Sequence, residues 1–208
     1  MEYYQNQRFA DALSYLKSIY TEPVTDTKEL SRLAYTSAMA KLLPAAADYY
    51  QRIYDSDSTN QSVLYNLASI NQRRGNSKSA ELYFKKLVLL DTLNFNAYTS
   101  LAQISFTKGD IKNQISYLEK ANKLNPVDAD AAYDLSEAYM VQNQSPKAGK
   151  VLTVAIAADP KNVLLLQALL RFNFIASNWK ETIRIGEDLL LLGDSSTNTI
   201  SKLGQGYF

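Results

Sequence analysis

Over residues 95–128 the apolar positions fall into two helical stretches separated by a turn. Tyr98, Leu101, Ala102 and Ser105 follow one another at steps of three, one and three, which puts them on one face of a helix. Gly109-Asp110 interrupts that pattern, since glycine takes the left-handed conformation that closes a helix. Helical spacing resumes from about Ile111, with Ile115, Leu118, Ala121, Asn122 and Leu124 on a second helix. Asn125-Pro126 stops it, because proline cannot continue a helix and drives the preceding residue out of helical geometry. One helix–turn–helix unit therefore occupies 34 residues.

The same columns recur at that step along the chain. Leu33, Leu67, Leu101, Leu135, Leu169 and Leu203 form an unbroken series, and the residues after them are Ala34, Ala68, Ala102, Ser136, Leu170 and Gly204. On the second helix Ala12, Ala46, Ala80, Gln114, Ala148 and Thr182 share a column, and Leu16, Tyr50, Phe84, Leu118, Leu152 and Gly186 share another. Small residues let helix backbones approach, and large ones fill the space beside them. An aromatic, a Leu-small pair, a Gly turn, an aromatic or Leu, an Ala and a terminal Pro: this order resembles the tetratricopeptide repeat, over essentially the whole chain. The resemblance implies an all-α, right-handed superhelical solenoid of antiparallel helix pairs. The register predicts a single array over 1–208, with complete repeats at 27–60, 61–94, 95–128, 129–162 and 163–196 and partial ones at 1–26 and 197–208.

Pro44 and Pro146 are three periods apart and both sit where a second helix should begin, with Ser145 a candidate N-cap. Gly75, Gly109 and Asn143 share a turn column and tolerate positive φ; Gln7, Lys41 and Ser177 fill it elsewhere, which predicts less regular turns there. Extending the register puts Met1 inside a first helix whose last turn holds Tyr3 and Tyr4. At the other end it makes 197–208 another first helix that exposes Ile200, Leu203 and Phe208. The expectation is a piece of a longer array.

Composition narrows the chemistry. There are 22 basic and 21 acidic residues, net +1, a balance that argues against a nucleic-acid or anionic-membrane binder. With no Cys and no His, this chain offers no disulfide, thiolate, imidazole base or histidine metal ligand. Absence of Cys fits cytoplasmic and exported proteins alike, so it fixes no compartment. The polar start MEYYQNQRFA does not read as a signal peptide, and no apolar run approaches the length of a membrane span.

Three charged stretches could carry chemistry. Asp55, Asp57 and Thr59 are spaced like the opening of a calcium loop, but the glycine position is Asn60 and the closing glutamate position is Asn66. Asp134 and Glu137 lie three apart on one helix face as a carboxylate pair. In an open groove they are expected to be exposed, without the burial that raises a carboxyl pKa. Arg73, Arg74, Lys78, Lys85 and Lys86 read as solvated helix faces, or as a seat for an acidic partner. No catalytic residue, metal site or cofactor is expected.

Tyrosine is abundant, 15 in all. Tyr50, Tyr98, Tyr139 and Tyr207 fall on packing columns, whereas Tyr35, Tyr65 and Tyr133 do not. In the family this chain resembles, first helices line a concave groove. The corresponding positions here are Tyr35 and Met39; Tyr65, Asn66, Ser69 and Arg73; Thr99, Gln103 and Phe106; Tyr133, Asp134, Glu137 and Met140; and Arg171 and Phe174. Aromatics, Met and Arg are the residue types enriched at binding hot spots. The carboxylate clamp of some members is not matched, since the positions flanking Asn66 are Ser31, Tyr35, Asn96 and Ser100. An asparagine ladder fails too, because the column reads Arg32, Asn66, Ser100, Asp134, Ala168, Lys202. The resemblance implies a non-enzymatic scaffold holding a protein or peptide partner. The alternative is the sensory or regulatory arm of a larger enzyme, kinase or transcription regulator.

Overall fold

The computed structural model describes residues 6–21 and 23–207. Among them the chain is all helix and turn, without a strand. The helices are α1 (Phe9–Ile19), α2 (Thr27–Met39), α3 (Leu43–Ser56), α4 (Gln61–Arg73), α5 (Ser77–Leu90), α6 (Phe95–Thr107), α7 (Ile111–Leu124), α8 (Ala129–Val141), α9 (Ser145–Ala158), α10 (Val163–Ile175), α11 (Trp179–Leu191) and α12 (Thr197–Gly206). Even-numbered helices are the first helices of the repeats, and each begins one period after the last. The expected turn at Tyr3 and Tyr4 lies outside the described residues, as does Phe208.

Each first helix starts on a polar cap at a fixed position. Asp26, Asn60, Asn94, Asp128, Asn162 and Ser196 stand at the 34-residue step, and each side chain accepts hydrogen bonds from the first turn of its helix. The donor of N3 would otherwise lack an intrahelical partner, and such a cap contributes about 1 kcal/mol. Asp57 belongs to the turn before one of these starts, accepting from Thr59 N at 3.0 Å and Thr59 Oγ1 at 2.7 Å. Asp91 does the same with Leu93 N at 3.0 Å.

First helices also end alike. Gln7, Lys41, Gly75, Gly109, Asn143 and Ser177 all have positive φ, from 55° to 79°. The turns at Gln7, Lys41 and Ser177 are thus as regular as those with glycine, contrary to the sequence expectation. From Lys41 onward the N–H of the next residue closes each of these turns onto the helix, as in Leu42 to Ser37 O at 2.8 Å, Asn76 to Asn71 O at 2.8 Å and Asp110 to Ser105 O at 2.9 Å. That is the Schellman arrangement. It leads straight into the second helix, so side-chain caps there are scarce. Ser145 is the first residue of α9 rather than its cap, and Gln144, the residue before it, makes no capping bond.

The chain forms two compact units, Met1–Ala97 and Tyr98–Phe208. In the first, Leu33, Leu67, Ala46, Tyr50 and Ile53 join one buried cluster. In the second, burial is divided into successive clusters: around Leu118 and Leu135, then Leu152 and Leu165, then Leu170 and Ile185. Burial passed from one repeat to its neighbour, with no shared centre, is the packing of a quasi-one-dimensional array. Leu203 is buried, against the expectation that it would be exposed: Gly186, where other repeats carry a large residue, leaves room for it, and a Cβ there would stand 3.1 Å from the Leu203 side chain. Ile200 is exposed as expected.

Candidate functional site

All fifteen candidate positions fall on first helices: Tyr35 and Met39 on α2, Tyr65 to Arg73 on α4, Thr99 to Phe106 on α6, Tyr133 to Met140 on α8, and Arg171 and Phe174 on α10. In the Tyr98–Phe208 unit, a cavity of about 210 Å³ brings together Gln103, Phe106, Tyr133, Asp134 and Glu137, with Ala102 and Gln114 completing its lining. The cap at Asp128 fixes the start of α8. From there Tyr133 packs on the Ala132–Leu152–Leu165 cluster while its neighbour Asp134 turns to the cavity. Phe106, in the last turn of α6, is 60% exposed, a large aromatic with no core to fill.

The carboxylates differ from expectation. Asp134 and Glu137 are both half-buried. Burial, with the charge of Asp130 adding to it, pushes the Asp134 carboxyl above its ordinary value. Asp134 has no hydrogen-bond or ion-pair partner among the described residues. Glu137 is paired with Arg171 of α10, one period later. The cavity therefore presents one uncompensated carboxylate rather than charges of both signs.

Gln114 is absent from the sequence candidates. It is buried on α7 in a column that elsewhere holds Ala or Thr, and a long polar side chain in a small-residue column is the signal that marks it.

Two regions of the chain match models of the tetratricopeptide repeat, residues 61–92 and 106–171. The first begins with α4 and ends just after α5, which is one repeat of the helical register. Over the matched residues the chain carries tetratricopeptide repeats. Among solved structures, a tetratricopeptide repeat protein from Cytophaga hutchinsonii superposes with a TM-score of 0.79 at 16% identity, covering 98% of this chain and 82% of that one. YrrB, described as a TPR protein with an unusual peptide-binding site, gives 0.72 at 15% identity, covering 93% and 96%. MamA gives 0.72 at 23% identity, covering 80% and 91%. These are likenesses of fold. No curated protein matches the sequence.

Tetratricopeptide repeats are generally non-catalytic scaffolds for protein and peptide partners. In this one, the Met1–Ala97 unit has its own first-helix cavity, about 330 Å³, lined by Tyr65 and Asn66 with Gln61, Ser62, Asn94 and Asn96. Tyr65 rests edge-on against buried Phe84, ring centres 6.0 Å apart, so it is part support and part lining. Tyr35, Met39 and Arg73 are exposed, and Ser69 and Thr99 are half-buried. Met140 packs against the Leu118–Leu135 cluster. Phe174 is covered by Trp179, edge-on at 5.6 Å, and by the Lys202 ammonium at 5.6 Å from its ring centre, so it is not an open seat.

Other tyrosines and lysines also depart from expectation. Tyr50, Tyr98 and Tyr139 are buried, but Tyr207 is 59% exposed and donates to Glu187 at 2.5 Å. Lys86, read as part of a solvated helix face, is half-buried and lies over the ring of Tyr54 at 4.9 Å, and exposed Lys120 lies over that of Tyr98 at 5.3 Å. Among the described residues no cluster could hold a metal ion, and no helix is long and apolar enough to cross a membrane.

Proposed function

We propose that this chain is a non-enzymatic interaction scaffold. In its Tyr98–Phe208 unit a partner segment docks on the concave, first-helix side over the cavity between Phe106 and Asp134. The observation that carries this reading is the pairing of an exposed aromatic rim with a half-buried, unpaired carboxylate. Burying a charge without a partner is costly, and the cost is relieved when a ligand brings the partner. With Glu137 held by Arg171, the group recognised is cationic, or a backbone N–H, next to an apolar side chain that packs on Phe106 and Tyr133. The peptide-binding site described for YrrB supports a fold of this kind serving that purpose. Tyr65 and Asn66 offer a comparable, more polar seat in the Met1–Ala97 unit.

The test is site-specific photo-crosslinking, with benzoylphenylalanine placed at Gln103 or at exposed Lys180. Capture of one partner from Gln103 and not from Lys180 is the expected result. Capture from Lys180 alone would move the site off the first helices.

A further inference from the structure

Each unit also has a groove on its second-helix side, and the two grooves are built from the same repeat positions. In the Met1–Ala97 unit Pro44, Ala47 and Gln51 of α3 face Ser79 of α5 over Leu67 and Asn71. Three periods later, Pro146, Gly149 and Thr153 of α9 face Glu181 of α11 over Leu169 and Asn173. The first groove measures about 350 Å³ and the second about 910 Å³.

The difference in volume has identifiable causes. In the first groove Tyr83 reaches over from α5, its hydroxyl donating to Gln51 Oε1 at 2.7 Å, and Leu67 beneath is 1% exposed. At the Tyr83 position the second groove has Ile185, which is buried in the core instead. At the Gln51 position it has Thr153, whose hydroxyl donates to Gly149 O of its own helix at 2.8 Å. Among the described residues no hydrogen bond crosses this groove from α9 to α11, and Leu169 is left half-buried. Gly149 adds to this: a Cβ there would stand 2.8 Å from Phe172 Cζ, so its absence lets the Phe172 ring lie in the groove lining. A glycine inside a helix costs about 1 kcal/mol relative to alanine, and here it permits that close approach.

The mouth carries one unpaired cation among the described residues. Glu181 is held by Arg184 at 2.9 Å and Arg184 also by Asp188 at 2.8 Å, whereas exposed Lys150 has no ion-pair or hydrogen-bond partner among the described residues. A cavity of this size lies in the range of about 300–1,000 Å³ typical of ligand sites.

We propose that this groove is a second docking site, which takes an aromatic side chain of a partner polypeptide with an acidic residue beside it. The ring fills the space over Leu169 and Phe172 that Tyr83 fills in the other unit, and the carboxylate meets Lys150. This site is independent of the first-helix cavity, so either can fail alone.

The experiment selects peptides from a random phage-displayed library on the whole chain, then titrates the labelled peptides. The expected peptides carry an aromatic residue next to Asp or Glu. Lys150→Glu, and separately Val154→Arg at a position 49% exposed on the groove wall, should each weaken them about tenfold or more. Phe106→Ala should leave them within about twofold, as a distant and independent site does. Circular dichroism checks that the variants stay folded. Recovery of no peptides, peptides without that pair of residues, or binding indifferent to Lys150→Glu and Val154→Arg would overturn the proposal. So would self-association of the chain abolished by Val154→Arg, which would give the groove to a second copy.

Discussion

Arg171 of α10 forms an ion pair with Glu137 of α8, a residue one repeat earlier in the same column. Side chains separated by one period are thus neighbours in space within the Tyr98–Phe208 unit. The pair also decides the chemistry of the adjoining cavity, because it neutralises Glu137 and leaves Asp134 as the carboxylate without a counter-charge.

The first prediction concerns Asp134. Its folded pKa is raised by burial, from an ordinary value of 3.8, so between that pH and its raised value the native state binds more protons than the unfolded chain. Stability therefore falls as pH rises through that window, and the penalty is fully present at neutral pH. Asp134→Asn should melt higher than the wild type at pH 7, with the gap closing below 3.8, where both states of the wild type are protonated. Thermal denaturation at a series of pH values tests this; a lower melting temperature for the variant at pH 7 would mean that Asp134 is paired in solution. If the partner brings a cation, the same variant should bind more weakly while being more stable, the compromise expected of a binding residue.

A second prediction follows from the left-handed column. Lys41 and Ser177 hold φ of 62° and 55°, a conformation that costs a residue with a Cβ about 1–2 kcal/mol. After allowance for the looser unfolded chain, Lys41→Gly and Ser177→Gly should each stabilise by about 0.5–1 kcal/mol. A Cβ added at Gly109 would meet nothing within 4 Å, so substitution there costs backbone strain alone. Gly109→Asn should be tolerated, as Asn143 is in the same column, and Gly109→Val should not. Urea denaturation that ranks Val equal to Asn would contradict the shared turn.

How much of this was legible in the sequence follows from what a period can reveal. Leu33, Leu67, Leu101 and Leu135 could be assigned to the core because apolar identity repeated at one step is burial seen from outside, and all four are 1% exposed. The caps from Asp26 to Ser196 repeat just as strictly, but in polar residues, where the apolar columns do not draw the eye. The positive φ of Lys41 could not be read from its identity. It is imposed by the Schellman bonds that join two helices whose register the rest of the repeat dictates. The half-burial of Asp134 escapes the sequence for a related reason: it lies at a cavity that side chains of α6, α7 and α8 line together, and no spacing rule reports how those helices approach. The same holds for Lys86 and Lys120, whose aromatic partners lie on other helices.

The third prediction concerns the last helix. Asp194 accepts from Gln167 Nε2 of α10 at 2.8 Å, from Thr199 Oγ1 of α12 at 2.7 Å and from Ser196 N at 3.1 Å. The bond from Gln167, then that from Thr199, holds its carboxyl down at about 2. A depressed folded pKa contributes stability that is present above the ordinary 3.8 and lost as pH falls toward about 2. Asp194→Ala should therefore lower the melting temperature at neutral pH, with the difference shrinking through that acid window. Hydrogen exchange should show α12 opening first in the variant. Protection of α12 unchanged from the wild type would remove Asp194 from that role.

Titration calorimetry on a captured partner determines whether the scaffold binds through the first-helix cavity of its Tyr98–Phe208 unit. Phe106→Ala and Tyr133→Ala would be compared with Lys112→Ala and Lys180→Ala, at lysines exposed on second helices. The expected loss is at least about 2 kcal/mol from each aromatic and less than about 0.5 kcal/mol from each lysine. Equal losses from both sets, or losses from the lysines alone, would contradict it.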